Sequence, residues 1–223
     1  MTQSPPSTIL HPPIQHVVWD WNGTLLDDAW LCCEVMNQLL AARGMPAMTM
    51  ERYQAIFEFP VIRYYQALGF DFEREPFEVV GTEFIQRYEQ RRHECKLRPE
   101  AVAVLETLRQ RGLGQSILSA YKQNTLEELL AFHRVSDFFD HILGLSDHYA
   151  ADKSGQGLAL MERLGLDPRS VLLVGDTTHD VEVAARMGVQ VTLIAAGNQS
   201  LSKLQACGVP MLGSLEELLA RIR

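Results

Sequence analysis

The chain has 223 residues, 47% hydrophobic content and a formal net charge of -8, which gives enough apolar material for a packed interior and excludes disorder as the default state. With no long basic run, neither nucleic acid nor an anionic membrane fits as the principal partner, and no uninterrupted apolar stretch is long enough to span a bilayer. An anionic substrate therefore has to be met by a local positive site.

Residues 1–14, rich in Ser, Pro and Thr, have neither a basic start nor an apolar core, so they read as a frayed tail and not as a signal peptide. Cys32, Cys33, Cys95 and Cys207 make no CxxC or Cys/His metal spacing. They read as reduced core thiols of a cytoplasmic protein.

The first structured stretch is His16-Val-Val-Trp-Asp20-Trp-Asn22-Gly23-Thr24. Val17 to Trp19 form an apolar, β-branched run that stops at a carboxylate, and Gly23-Thr24 breaks it before a helical pattern begins. This predicts a buried strand with Asp20 at its carboxyl end, the position that faces the ligand crevice of an open α/β sheet. The plainer alternative is a polar turn in which Gly23 only lets the backbone bend.

From Asp28 to Arg43 apolar residues recur at helical spacing, with acids at the start and Gly44 as the stop. Helical patterns follow over Met50–Glu58, Val61–Leu68 and Pro76–Glu94 before any convincing strand, which predicts an all-helical insert over 28–95 between core segments 15–27 and 96–223. After Pro99 the pattern alternates. Helices are expected over Glu100–Arg111, Asn124–His133, Gly155–Leu164 and Asp180–Met187, with a last one over Leu215–Ile222; strands are expected over Gln115–Ala120, His141–Leu145, Val171–Gly175 and Gln190–Ala195. Such alternation calls for a doubly wound parallel sheet, an α/β fold with helices on both faces.

Asp20, Ser119, Lys153 and the pair Asp176/Asp180 all fall at the ends of predicted strands or the starts of helices. Singly, each has an ordinary structural reading: Ser119 a capping hydroxyl, Lys153 a solvated charge, Asp180 a helix-start acid. In this order, however, Asp20-x-x-Gly23-Thr24 and Gly175-Asp176-x-x-x-Asp180, with Ser119 and Lys153 between them, resemble the haloacid dehalogenase-like hydrolase superfamily. The likeness is strongest to its phosphoglycolate phosphatase-like branch with a helical cap, and it covers the chain from about residue 15 onward.

The resemblance implies a Rossmann-like core, a Mg²⁺ ion and a covalent aspartyl-phosphate on Asp20. Asp20, Asp176, Asp180 and the backbone carbonyl of Asn22 would surround the ion, whose preference is for oxygen ligands. Lys153 would balance the acids and touch the phosphoryl oxygens, while Thr24, Ser119 and the Ala120 position would hold the remaining oxygens. The expected substrate is a small phosphorylated metabolite, phosphoglycolate-like. Phe57 to Arg63 is the turn expected over Asp20, with Phe59 and Arg63 setting specificity and Arg63 pairing with a substrate carboxylate or second phosphate.

Two positions depart from the family pattern. Relatives usually have a second Asp two residues after the nucleophile, where it protonates the leaving oxygen and later activates water; here that residue is Asn22. An amide exchanges no proton near neutral pH, and such acid–base help is worth on the order of 10²–10⁴ in rate. Asp27 and His179 are the nearby substitutes, and Asn22→Asp is expected to raise turnover. At Ala120 relatives often carry a polar residue. These departures keep a second function open, a catalytically weak relative that binds a phosphorylated ligand or partner.

Three neighbouring activities fit less well. Phosphonoacetaldehyde hydrolases also have Trp after the nucleophile but use a cap lysine, and no Lys occurs here before Lys96. Metal-independent dehalogenases do not need the acidic pair at 176 and 180. A receiver domain lacks both the length and the helical insert. Oligomeric state stays open, because an apolar helix face can be buried in the insert or in a dimer.

Overall fold

The computed structural model describes residues 13–146 and 153–222, so most of the tail expected over 1–14 lies outside the described residues. The apolar run after it forms strand β1 (His16–Trp19), with every residue buried. It lies at the centre of a parallel sheet completed by β4 (Gly114–Lys122), β5 (His141–Leu145), β6 (Val171–Gly175), β7 (Gln190–Ile194) and the two-residue β8 (Met211–Leu212). Numbered along the chain, the spatial order is β5-β4-β1-β6-β7-β8, and each described pairing is parallel. Because β1 lies between two strands contributed much later, the connections diverge at its carboxyl end. That divergence opens the crevice where α/β sheets bind ligands.

Continuous hydrophobicity in these strands follows from burial on both faces. Val17 and Trp19, with Leu172 and Val174 of β6, face a layer that holds α5 (Ala101–Gln110), α6 (Gln123–Phe132) and α10 (Glu217–Arg221). Val18, Val171 and Leu173 face the opposite layer, where Leu160 of α7 (Ser154–Leu164) and Val183 and Met187 of α8 (Thr178–Met187) cover them. Burial of each such side chain contributes about 1.5–3 kcal/mol, which fixes the sheet between its two layers.

Between β1 and the rest of the sheet come α1 (Ala29–Ala42), α2 (Met50–Ile56), α3 (Val61–Leu68) and α4 (Phe77–Arg91). Pro60 and Pro76 stand at the N-caps of α3 and α4, and Gly69 ends α3 with φ 97°, as expected for a residue that tolerates the left-handed region. The chain leaves and re-enters the sheet domain through two short antiparallel strands, β2 (Leu26–Asp27) and β3 (Lys96–Leu97), which pair Leu26 with Leu97 and Asp27 with Lys96. Next to them the Arg98 guanidinium donates to the carbonyls of Gly23, Thr24 and Ala196. This ties the turn after Asp20 to the loop that follows β7.

The longer predicted elements all form, with ends shifted by a few residues. The largest shift is in α4, expected to run to Glu94 and observed to end at Arg91, where a 3₁₀ turn over Arg92–Glu94 follows. The stretches without a helical or alternating signal are β2, β3, β8 and α9 (Leu201–Gln205); two-residue strands are too short to show a period.

His16 provides a stability handle on β1. Its Nε2 lies 2.8 Å from Ser116 Oγ on β4, and burial pushes the imidazole down to about 4 although Asp140 acts in the opposite direction. An unfolded chain takes up this proton near pH 6.5, whereas the folded chain does not until about pH 4. The stability tied to the neutral ring is thus present at neutral pH and is lost as pH falls through that window. In urea titrations the wild type is expected to lose up to about 3 kcal/mol more than His16→Asn between pH 7 and pH 4.

Candidate active site

Asp20 follows β1 directly, and its amide donates to Val174 O at 2.9 Å on β6. Asp176 follows β6, and Asp180 lies in the first turn of α8. Adjacent parallel strands therefore deliver their terminal acids to one point: carboxylate oxygens of Asp20, Asp176 and Asp180 lie within 4.8 Å of one another, all three side chains buried.

Each acid is held by a different partner. Lys153, which precedes α7, places Nζ 2.5 Å from Asp20 Oδ1 and 2.7 Å from Asp180 Oδ1 and also donates to Leu118 O at 3.2 Å. Asp180 Oδ2 accepts from the Asp176 and Thr177 amides and from the Thr177 hydroxyl, at 3.1, 3.0 and 2.8 Å. That arrangement locks the start of α8 as a capping box does. Asp176 Oδ2 accepts from the Asn198 amide at 2.6 Å and from its Nδ2 at 3.0 Å. Thr24 Oγ1 donates to Asp176 Oδ1 at 3.2 Å and, more weakly, to Asp20 Oδ2 at 3.4 Å.

Gly23 does more than permit a turn. Its φ is 75°, and a Cβ there would meet Asp176 Oδ2 at 2.2 Å; one on Gly197 would meet the same oxygen at 2.1 Å. Only residues without a side chain let both loops close on that carboxylate.

The electrostatics are those of a site short of positive charge. Burial raises Asp20 to about 7, with Lys153 pulling down and Asp180 adding to the rise. Asp176 is held well above the usual carboxylate range by burial and by the charges of Asp20 and Asp180. Burial acts upward on Asp180 as well, but the adjacent ammonium and the Thr177 hydrogen bonds more than reverse it and leave it low. Lys153 is raised, its two acids outweighing its own burial. Fully ionised, the three buried acids exceed the one ammonium by two charges, and burial together with this excess pushes Asp20 and Asp176 up. The donors are all oxygen. A hard divalent cation such as Mg²⁺ matches both the charge and the donor set, which a thiolate- or imidazole-seeking metal does not.

Beside this cluster a cavity of about 390 Å³ opens, lined on the sheet side by Asp20, Asn22, Ser119, Ala120, Lys153 and His179. Ser119 is buried, and its Oγ accepts from the Tyr121 amide at 3.1 Å. Phe59 reaches the cavity and stacks on His179 with ring centroids 4.8 Å apart. Arg63, expected to face a substrate anion, is exposed on α3 and does not line the cavity. Because α3 presents Tyr64 and Tyr65 inward, the preceding position points to solvent. Asp27 is exposed too.

The residue that sequence reasoning missed is Asp28, which it read only as a helix-start acid. Asp28 is fully buried. Its Oδ2 accepts from Asn22 Nδ2 at 2.7 Å and from Tyr88 Oη at 2.7 Å, and its Oδ1 accepts from the Gly23 amide at 2.7 Å. Asn22 Nδ2 also lies 3.1 Å from Tyr88 Oη. A carboxylate can only accept here, so the amide of Asn22 must turn its NH₂ toward Asp28. Burial raises Asp28, with the bonds from Asn22, Tyr88 and Gly23 acting the other way.

The insert grips the sheet domain at this point. Tyr53 Oη donates to Asn198 Oδ1 at 2.8 Å, and Gln54 Nε2 to Gly197 O at 2.9 Å. From the other side, Gln199 Nε2 and Lys203 Nζ both donate to Phe57 O at 2.9 Å.

Comparison with known proteins is consistent with this geometry. A phosphoglycolate phosphatase from Aquifex aeolicus is 25% identical over 192 residues, which is 83% of this chain and 87% of the relative. An N-acetylmuramic acid 6-phosphate phosphatase from Pseudomonas putida is 25% identical over 198 residues, 82% of this chain and 84% of the relative. Among solved structures, a haloacid dehalogenase-like family hydrolase from Streptococcus pneumoniae superposes with a TM-score of 0.82 at 20% identity, covering 94% of this chain and 99% of that one. Residues 17–194 match the family model described as haloacid dehalogenase-like hydrolase, and the chain belongs to that family.

Proposed function

We propose that this protein is a Mg²⁺-dependent phosphatase that cleaves a small phosphomonoester through an aspartyl-phosphate on Asp20. The observation that carries this reading is the convergence of Asp20, Asp176 and Asp180 within 4.8 Å, with Lys153 bridging Asp20 and Asp180. The relatives named as phosphatases support it.

Asp20 is the nucleophile: a carboxylate oxygen bonds to phosphorus as the ester P–O bond breaks, and the electron pair leaves on the ester oxygen. Water then displaces phosphate from Asp20. Lys153 holds one oxygen of Asp20 and offsets its repulsion from the phosphate, and the Ser119 hydroxyl with the backbone at Ala120 holds phosphoryl oxygens. Asp20, Asp176 and Asp180, with the Asn22 carbonyl, are the residues that would hold Mg²⁺. When bound, Mg²⁺ supplies the positive charge needed for a dianion to enter this acidic cluster.

In this reading residues 15–27 and 96–223 are the catalytic core and residues 28–95 are a cap that shields the reaction from water. No described helix is long and apolar enough to cross a membrane, and the four cysteines are free thiols; both fit the cytoplasm. The runner-up function, a catalytically weak relative that binds a phosphorylated ligand, is favoured by Asn22, whose NH₂ is committed to Asp28 and Tyr88.

The two readings separate on the nucleophile. Asp20→Asn is expected to abolish Mg²⁺-dependent phosphate release and the trapping of beryllofluoride at that position; unchanged phosphate release by this variant would overturn the phosphatase reading. Asn198→Ala removes a partner that orients Asp176 and is expected to raise the Mg²⁺ concentration for half-maximal activity by about 10–100-fold, checked by Mg²⁺ titration.

The expectation for Asn22→Asp changes with the structure in view. A carboxylate there would be pressed against that of Asp28, where Nδ2 now sits at 2.7 Å, and two such groups cannot both ionise cheaply. Asn22→Asp alone is expected to lower thermal stability without a large gain in rate. The double exchange Asn22→Asp with Asp28→Asn keeps one carboxylate and is expected to raise kcat on an alkyl phosphate by about 10²-fold, measured by steady-state phosphate release.

A further inference from the structure

The wall of the cavity opposite Asp20 is built from the insert and from the end of β4. Its half-buried faces are Phe57, Phe59, Ile62, Phe84, Ile85 and Tyr121. Among the described lining residues, only Lys153 carries a fixed positive charge, and it is engaged by Asp20 and Asp180. The acidic lining residues outside the cluster are Glu89 and Asp28. Glu89 is paired with Arg92 and accepts from the Tyr121 hydroxyl, while Asp28 is closed by Asn22, Tyr88 and the Gly23 amide. A leaving group bearing its own carboxylate or phosphate would meet two anions there and no free cation. An apolar ring would meet aromatic edges and aliphatic faces, and it fits: a benzene-sized ring needs about 150 Å³, and the cavity holds about 390 Å³.

A second observation concerns the proton. Asn22 occupies the place beside the nucleophile, yet its NH₂ is turned onto Asp28 and Tyr88, so this side chain offers neither an exchangeable proton nor an outward donor; His179, the other candidate in the cavity lining, has its ring stacked on Phe59 and its Nδ1 3.3 Å from Glu182. Without a proton from this position, cleavage is easiest for an ester oxygen that can leave as an anion. A phenol-type hydroxyl ionises near about pH 10, several units more readily than an alcohol.

We infer that the preferred substrates are monoesters of phosphate with an uncharged aromatic ring, in which the ring fills the wall of Phe57, Phe59, Ile62 and Phe84 and the ester oxygen departs as a phenolate. This rests on the phosphatase reading above and narrows it to a leaving-group class. In the balanced step, the Asp20 carboxylate forms the new P–O bond, the P–O(aryl) bond breaks with its electron pair on the aryl oxygen, and solvent protonates the phenolate. Water then attacks the phosphorus of the aspartyl-phosphate, Asp20 leaves as carboxylate, and inorganic phosphate is released.

The test uses the full chain with Mg²⁺ and two non-hydrolysable phosphonates, benzylphosphonate and phosphonoacetate, titrated by calorimetry. Benzylphosphonate is expected to bind at least about tenfold more tightly. Ile62→Arg, which places a cation in the wall, is expected to reverse that order, with retained folding checked by its melting curve. In steady-state assays phenyl phosphate and benzyl phosphate should show similar KM, with kcat higher for phenyl phosphate by about 10² or more.

Equal or tighter binding of phosphonoacetate by the wild type would overturn the ring preference. Equal kcat on the two esters would overturn departure without a proton. Either result alongside Mg²⁺-dependent beryllofluoride trapping on Asp20 defeats this inference alone, whereas failure of the trapping defeats the phosphatase reading beneath it.

Discussion

Three carboxylates withdrawn from water against a single ammonium is an arrangement that no chain adopts for stability, because each buried charge costs several kcal/mol that one ion pair does not return. Asp20, Asp176 and Asp180 nonetheless meet around Lys153. The rest of the molecule explains how they are kept there. Parallel pairing of β1 with β6 in fixed register, Trp19 opposite Val174, brings two strand ends level. The start of α8 clamps Asp180 through Thr177. Gly23 and Gly197 allow two loops to close on one oxygen of Asp176. The excess of buried carboxylate left by this construction is the donor set that a hard divalent cation would need.

The insert is coupled to that same point. Tyr53 of α2 bonds Asn198, and Asn198 bonds Asp176 with both its amide and its side chain. Lys203 and Gln199 on the sheet domain both hold the Phe57 carbonyl, so the segment that forms part of the apolar wall is also tied to the sheet domain. The insert and one carboxylate of the cluster thus share a single buried asparagine as hydrogen-bond partner.

Much of this was legible before any coordinates because the chemistry sits where periodicity changes. Val17–Trp19 ending in Asp20, and Val171–Gly175 ending in Asp176, are apolar runs that stop at an acid; in a parallel sheet that pattern alone predicts two acids on one edge. Ser119 and Lys153 gained meaning only from their order along the chain, since nothing local distinguishes them from a cap and a solvated charge. Asp28 and Asn198 were not legible for a physical reason. Their importance lies in hydrogen bonds across 6 and 22 residues, to Asn22 and Asp176, and neither spacing is a helical or strand repeat. Arg63 failed in the opposite sense: its charge suggested an anion partner, but the inward face of α3 belongs to Tyr64 and Tyr65.

Asn22 and Asp28 are best understood as one unit. A carboxylate at 22 would face the acid at 28 across a hydrogen-bond distance, and the pair would have to share a proton, raising one pKa far enough to leave it protonated. With asparagine at 22 the repulsion disappears, and Asp28 is satisfied by the Asn22 amide, the Tyr88 hydroxyl, the Gly23 amide and, more weakly, the Cys32 thiol. The cost falls on proton transfer to the leaving oxygen. An apolar wall raises the cost of any departing anion, and raises it least for a ring that delocalises the charge, so it favours oxygens that ionise readily. The polar turn and the aromatic wall thus favour the same class of leaving group.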